Sequence, residues 1–310
     1  MTKPKNPLSI LSRAAQAHLV TDPFPHLVIT EALEPAIFEQ LANQFPSEEV
    51  ILNGQPPRDT VFIYSACEVL QDERISPLWK EFCSYHVSKD FFNDLIALAG
   101  PQLRALHPDL EKKIGRPLEE FEVGMRPGGA NRPLAEGADV SMECQFFMSY
   151  TKQQPRSVRG PHVDRPSELF AALLYFRRED DDSSGGNLEI CEATSNIYPN
   201  AHTIHISAPT AEVDWSHVRT IQTVKYAANT LVLFLNSSRA IHAISPRSQT
   251  SVPRRHINFC CDVRFDLFEI KLPASTIAKN WLRNSVRRPR SLVKKWVLSV
   301  PILWRLEKYL

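Results

Sequence analysis

The stretch from residue 159 to 176 reads RGPHVDRPSELFAALLYF, and the rest of the chain is best understood outward from it. His162 and Asp164 stand two positions apart. On an extended chain such residues point to the same side, so both side chains can reach one ion. The apolar run LFAALLYF follows and places the pair at a strand edge. A third ligand has to come from elsewhere in the chain. His242 is the candidate, inside VLFLNSSRAIHAISP.

Around these residues the sequence is rich in short β-type runs. From about residue 143 they are ECQFFMSYT, LFAALLYF, NLEIC, HTIHIS, TIQTVKY, TLVLFLN, RAIHAI and RHINFCCDVRF, separated by acidic, Gly/Ser and Pro segments. Many short strands with turn signals predict a sandwich or barrel. Two histidines and one carboxylate gathered in such a core form a facial triad. That set suits non-haem iron(II) and leaves coordination positions open.

A second chemical signal follows His242. Arg254 and Arg255 open the strand RRHINFCCDV. Alternation puts Arg254, His256 and Asn258 on one face and Arg255 and Ile257 on the other. A face carrying Arg, His and Asn suits a polar pocket better than a plain core. The guanidinium fork matches a carboxylate, so Arg254 is the expected anchor for an anion, with Arg255 as the alternative.

Upstream, PFPHLVI predicts a strand. EALEPAIFEQLANQF predicts a helix with Leu33, Ile37, Leu41 and Phe45 along one stripe. Residues 77–125 read as mostly helical, with a helix stop at Gly100–Pro101. Residues 126–141 read as a Gly/Pro-rich loop, and the acidic segment 179–182 as a solvated one. Residues 193–220 read as an inserted hairpin. They carry His202, His205 and His217, rival ligands that lack the setting of His162 and His242.

The formal net charge is +1, which gives no general pull toward nucleic acid. The 6 cysteines contain no CxxC pair, so a structural zinc knuckle is disfavoured and reduced thiols are expected. The N-terminus reads poorly as a signal peptide, and no apolar stretch reaches membrane-spanning length, which predicts a cytoplasmic protein. The tail from Trp281 to Leu310 sets Arg283, Arg287, Arg288, Arg290, Lys294 and Lys295 beside Trp296, Leu298, Val300, Leu303 and Trp304. It is a candidate surface for an anionic membrane or a protein partner, or else a helix packed on the core. The predicted organisation is an N-terminal helical/β support region (1–142), a β core (143–266) and a basic, apolar helical tail (267–310).

The segment from about Cys144 to Asp262 resembles the double-stranded β-helix core of the 2-oxoglutarate/iron(II)-dependent dioxygenase superfamily, in its prolyl-4-hydroxylase-like branch. The pieces that carry the resemblance are, in order, QFFMSY, HVD, LLYF, GGNLEI, TLVLFLNSSRAIHAISP and RRHINF. It implies an α+β protein with a jelly-roll, cupin-like core and flanking N-terminal helices. It implies His162, Asp164 and His242 as iron ligands and catalytic centre, with Arg254 or Arg255 and Tyr175 binding the distal carboxylate of 2-oxoglutarate. Tyr150 is implied to line the co-substrate or substrate pocket. The co-substrates would be 2-oxoglutarate and O2, with ascorbate as a candidate reductant. The reaction would be hydroxylation of an unactivated C–H in a small molecule such as an amino acid, sugar or natural-product intermediate, releasing succinate and CO2. The alternatives are a peptidyl or prolyl hydroxylase of the same superfamily, a cupin-type metalloprotein that does not use 2-oxoglutarate, and a catalytically silent binding module. Substrate identity and oligomeric state stay open at this level.

Overall fold

A computed structural model describes residues 6–128, 134–155, 157–194, 204–205, 208–209 and 211–269. The basic tail from residue 270 onward, and His202, lie outside the described residues.

The N-terminal part supplies β1 (His26–Ile29), α1 (Pro35–Asn43), α2 (Glu48–Leu52), β2 (Val61–Tyr64), α3 (Ala66–Gln71), α4 (Pro77–His86), α5 (Lys89–Leu106), α6 (Leu110–Ile114) and β3 (Val123–Met125). The strands that follow are β4 (Val140–Thr151), β5 (His162–Val163), β6 (Glu168–Tyr175), β7 (Leu188–Ala193), β8 (Ile204–His205), β9 (Ala208–Pro209), β10 (Ala211–Glu212), β11 (Val218–Val224), β12 (Leu231–Leu235), β13 (His242–Ile244) and β14 (Thr250–Val263).

Two sheets carry the fold. The larger runs β1-β12-β6-β14-β4-β2, with β3 beside β4; the smaller runs β10-β5-β13-β7-β11. From β4 to β7 successive strands alternate between the sheets, and from β11 to β14 they do so again. That winding is a double-stranded β-helix, as expected. β1, β2 and β3, all upstream of residue 142, extend the larger sheet. The inserted segment forms a β8–β9 hairpin, and β10 then pairs with β5.

The larger sheet is apolar on both faces because both are covered. Its outer face, with Phe146, Met148, Leu174, Ile257 and Phe259, packs under the helices against Trp79, Phe82 and Phe91. Trp79 lies 4.6 Å from Phe146, ring to ring, and its buried indole N–H donates to the Leu41 carbonyl at 3.0 Å. Truncating such a residue to alanine costs about 3–5 kcal/mol. The inner face, with Ala171, Leu173, Tyr175, Val232 and Phe234, meets Leu188, Ile190 and Val224 of the smaller sheet and Tyr226 just beyond β11. This double coverage is why LVLFL in β12 reads as an unbroken apolar run rather than an alternating one.

Two expectations need correction. α5 does not stop at Gly100–Pro101 but continues to Leu106. Pro101 removes one helical hydrogen bond, to the carbonyl of Ala97. Ala97 is exposed, so water can take that place, while Phe91, Phe92, Leu95, Ile96, Leu98, Ala99 and Leu103 hold the helix by burial. The acidic segment is not wholly solvated either. Asp181 is buried and accepts from Arg247 Nη2 at 2.8 Å, because the β13–β14 connection brings that buried arginine against it. Among the described residues no helix is long and apolar enough to cross a membrane, and all six cysteines are free.

Candidate metal centre and anion pocket

β5 is only two residues long, yet it sits between β10 and β13 in the smaller sheet. Its pairing with β13 sets His242 directly opposite His162. The two rings lie 4.2 Å apart, centroid to centroid. Each histidine has its Nδ1 against a carbonyl two residues upstream: Gly160 at 2.7 Å for His162 and Ala240 at 3.0 Å for His242. Those bonds fix Nδ1 as the protonated nitrogen and leave Nε2 as the lone-pair donor. The two Nε2 atoms face the two oxygens of Asp164, each at 3.5 Å. That is too long for a good hydrogen bond. It is close to the roughly 3 Å expected between ligands that share one ion at about 2.1 Å.

The electrostatics suit a cation. Burial, helped by His242 and Arg159, holds His162 down at about 3, so its imidazole is neutral and can donate. Burial also lowers His242. Burial alone would raise Asp164; His242, His162 and Arg159 outweigh it and keep the carboxyl below its ordinary range. The donor set is therefore two neutral nitrogens and one anion, which fits a divalent ion with open positions. Phe234 packs on His242 at 4.4 Å and walls the site with apolar surface.

Arg254 is the centre of a second polar cluster, on the inner face of β14. Its guanidinium lies 5.0 Å from the Tyr175 ring and 4.9 Å from the Tyr226 ring. Nε donates to the Gly186 carbonyl at 3.0 Å, and Nη1 meets His256 Nδ1 at 3.0 Å. Burial, with Arg254 beside it, pushes His256 well below its ordinary value, so it stays neutral and accepts. Nη2 of Arg254 and the hydroxyl of Tyr175 are buried without a hydrogen-bond partner. Burial raises the Tyr175 hydroxyl to about 12 against the opposing pull of Arg254, so it keeps its proton. One cationic and one neutral donor thus remain for an anion. Unsatisfied buried donors cost about 1–3 kcal/mol each, more when charged, so the arrangement calls for an acceptor.

Arg255 and Tyr150 are not part of this pocket. Alternation turns both to the outer face of the larger sheet. Arg255 lies over the Phe45 ring at 4.5 Å and donates to the Phe176 carbonyl. Tyr150 donates to Glu48 at 2.6 Å and packs edge-on against Phe62. His217 sits in a short 3-10 turn (Trp215–His217) and is not among the converging ligand atoms; of His205 only the backbone is described. Glu168, Cys260 and Asp262 form the other convergent set among the described residues. Arg126 and Arg165 already pair with Asp262, and Arg165 also with Glu168, so it is a closed ion-pair network. Sequence reasoning missed Tyr226, the second ring on Arg254. It also missed Gly186 as the partner of that arginine, although the GG pair was visible.

No protein-family model matches the chain, and no curated protein matches its sequence. Solved structures do resemble it. They are prolyl-4-hydroxylases and other 2-oxoglutarate/iron(II) oxygenases. A Pseudomonas putida prolyl-4-hydroxylase is 14% identical with a TM-score of 0.40, over 77% of this chain and 93% of that one. A prolyl 4-hydroxylase from Phytophthora capsici is 12% identical with a TM-score of 0.44, over 91% and 75%. The epimerase SnoN, solved with Fe3+, alpha ketoglutarate and nogalamycin RO, is 11% identical with a TM-score of 0.40, over 77% and 78%. Likeness at this level describes shape, and the chemistry has to rest on the residues above.

Proposed function

We propose that this chain is an iron(II)- and 2-oxoglutarate-dependent oxygenase that oxidises a C–H bond of a small molecule. The observation that carries the reading is the pairing of the His162–Asp164–His242 set with a buried Arg254 that has one donor left over beside the Tyr175 hydroxyl. A cupin-type metal site accounts for the first feature and leaves the second without a use.

His162, Asp164 and His242 would hold the iron, and Arg254 with Tyr175 the distal carboxylate of 2-oxoglutarate. Bound together, metal and co-substrate supply the oxidising power, with O2 consumed and 2-oxoglutarate converted to succinate and CO2. The chain's own residues position and shield. The Gly160 and Ala240 carbonyls hold each imidazole with Nε2 inward. Asp164 stays anionic and places one negative charge against the cation. Gly186 and His256 lock two edges of the Arg254 guanidinium, so its remaining donor is aimed before any ligand arrives, which lowers the ordering cost of binding. Phe234, Ile190, Leu188 and Ile244 line the space between the sheets with apolar surface and exclude water.

The test is iron(II)-dependent conversion of 2-oxoglutarate to succinate by the purified chain, together with binding of both by calorimetry under anaerobic conditions. A chain that binds iron but not 2-oxoglutarate belongs instead with the cupin-type metalloproteins.

A further inference from the structure

Among the described residues, Arg159 is a partly buried arginine beside the metal centre whose one ionic contact is a long one, to Asp164. Its backbone is fixed: its carbonyl accepts from Ile244 N–H at 3.0 Å, on the strand that carries His242, and Ser157 brackets it through both N–H and carbonyl. Its Nη1 reaches Asp164 Oδ1 at only 3.4 Å, a weak contact to a carboxylate whose charge the iron would share. Its Nε and Nη2 are buried and have no hydrogen-bond partner. Those two N–H groups lie on one edge of the guanidinium, the edge that grips a carboxylate or phosphate with two parallel bonds. Two buried arginines elsewhere are matched by carboxylates, Arg126 by Asp262 and Arg247 by Asp181.

Charge bookkeeping leads to the same place. In the loaded site Asp164 and a dianionic co-substrate would face a dication and Arg254, and those four cancel. Arg159 is then a positive charge left over at the metal. At the neighbouring residue, Gly160, an added Cβ would lie 3.8 Å from the indole nitrogen of Trp215, which is 46% exposed. An unpaired guanidinium edge suits an anionic head, and a half-exposed aromatic against the next residue suits an apolar body.

We propose, resting on the oxygenase reading, that Arg159 determines specificity for an anionic substrate: its Nε/Nη2 edge takes a carboxylate or phosphate of the molecule to be oxidised. A carboxylate could instead be that of 2-oxoglutarate, and the experiment separates the two sources. Arginine Nε–H resonances of the full chain, loaded with Zn(II), would be followed by NMR and assigned with Arg159→Lys and Arg254→Lys. The protein is titrated first with 2-oxoglutarate, then with phenylacetate, phenyl phosphate and the uncharged phenylacetamide. The expected result is that 2-oxoglutarate shifts Arg254, that the two anions then shift Arg159 saturably, and that the amide does not. Arg159→Gln should weaken the anions by about tenfold or more, and Arg159→Lys should weaken them less, since it keeps charge without the fork. Saturation of the Arg159 shift by 2-oxoglutarate alone, equal effects of acid and amide, or no shift with any anion each overturns the proposal. If 2-oxoglutarate leaves Arg254 unmoved while the anions still shift Arg159, the co-substrate assignment fails and the anion site stands.

Discussion

Arg254 donates from Nε to the carbonyl of Gly186 at 3.0 Å, tying the arginine to a glycine pair in the loop that leads into β7. Gly185 and Gly186 have φ of 74° and 69°. At Gly185 an added Cβ would fall 1.9 Å from the Pro246 carbonyl oxygen, which is impossible without moving backbone. Gly185→Ala is therefore expected to cost at least about 2 kcal/mol of stability and to weaken 2-oxoglutarate binding with it. Urea unfolding and calorimetric titration check both effects. An unchanged unfolding midpoint would contradict the close approach.

The two adjacent arginines should behave very differently. Arg254→Gln is expected to raise the KM for 2-oxoglutarate by roughly 30-fold or more, because a buried charged partner is lost. Arg255→Gln, on the outer face, should change it by less than about threefold. Tyr175→Phe removes one neutral donor and should cost about fivefold. Steady-state succinate assays on the three variants decide the assignment, and equal effects of the two arginine changes would reverse it.

Removing any metal ligand should abolish iron binding without unfolding the chain. His162→Ala, Asp164→Ala and His242→Ala are each expected to lose more than about 100-fold in iron(II) affinity. Anaerobic metal titration measures this, with near-ultraviolet circular dichroism to show that packing is kept. By contrast, His217→Ala should bind iron as the wild type does.

A pH-dependent contribution to stability comes from His86, at the end of α4. Its Nδ1 donates to the Phe82 carbonyl and its Nε2 accepts from Ile10 N–H, so the ring is needed neutral. Burial holds it down at about 3, against 6.5 for an ordinary histidine. The unfolded chain therefore takes up the proton first. Stability is fully present above about pH 6.5 and is lost as pH falls toward 3, by about 2 kcal/mol at pH 5. Urea midpoints at pH 7 and pH 5 should fall further apart in the wild type than in His86→Gln. If both proteins respond alike to pH, His86 is not the source.

Local rules fixed a good part of this protein from its sequence. The two-residue spacing of His162 and Asp164, the faces of RRHINF and the succession of short strands follow from the alternation of an extended chain, which needs no knowledge of distant partners. Applied to β4, the same rule already separates Tyr150, Met148 and Phe146 from Phe147 and Gln145. The expectation for Tyr150 came from resemblance, and the packing of Phe146 and Met148 under the helices puts it on the outer face. What alternation does not specify is which strands become neighbours and which face lies between the sheets. Strand pairing across long stretches of chain set His242 opposite His162, brought Tyr226 onto Arg254 and Arg247 onto Asp181, and left one edge of Arg159 without a partner beside Asp164. Those are long-range contacts, chosen by how two sheets and a helical layer bury apolar surface together, so only the tertiary structure could decide them.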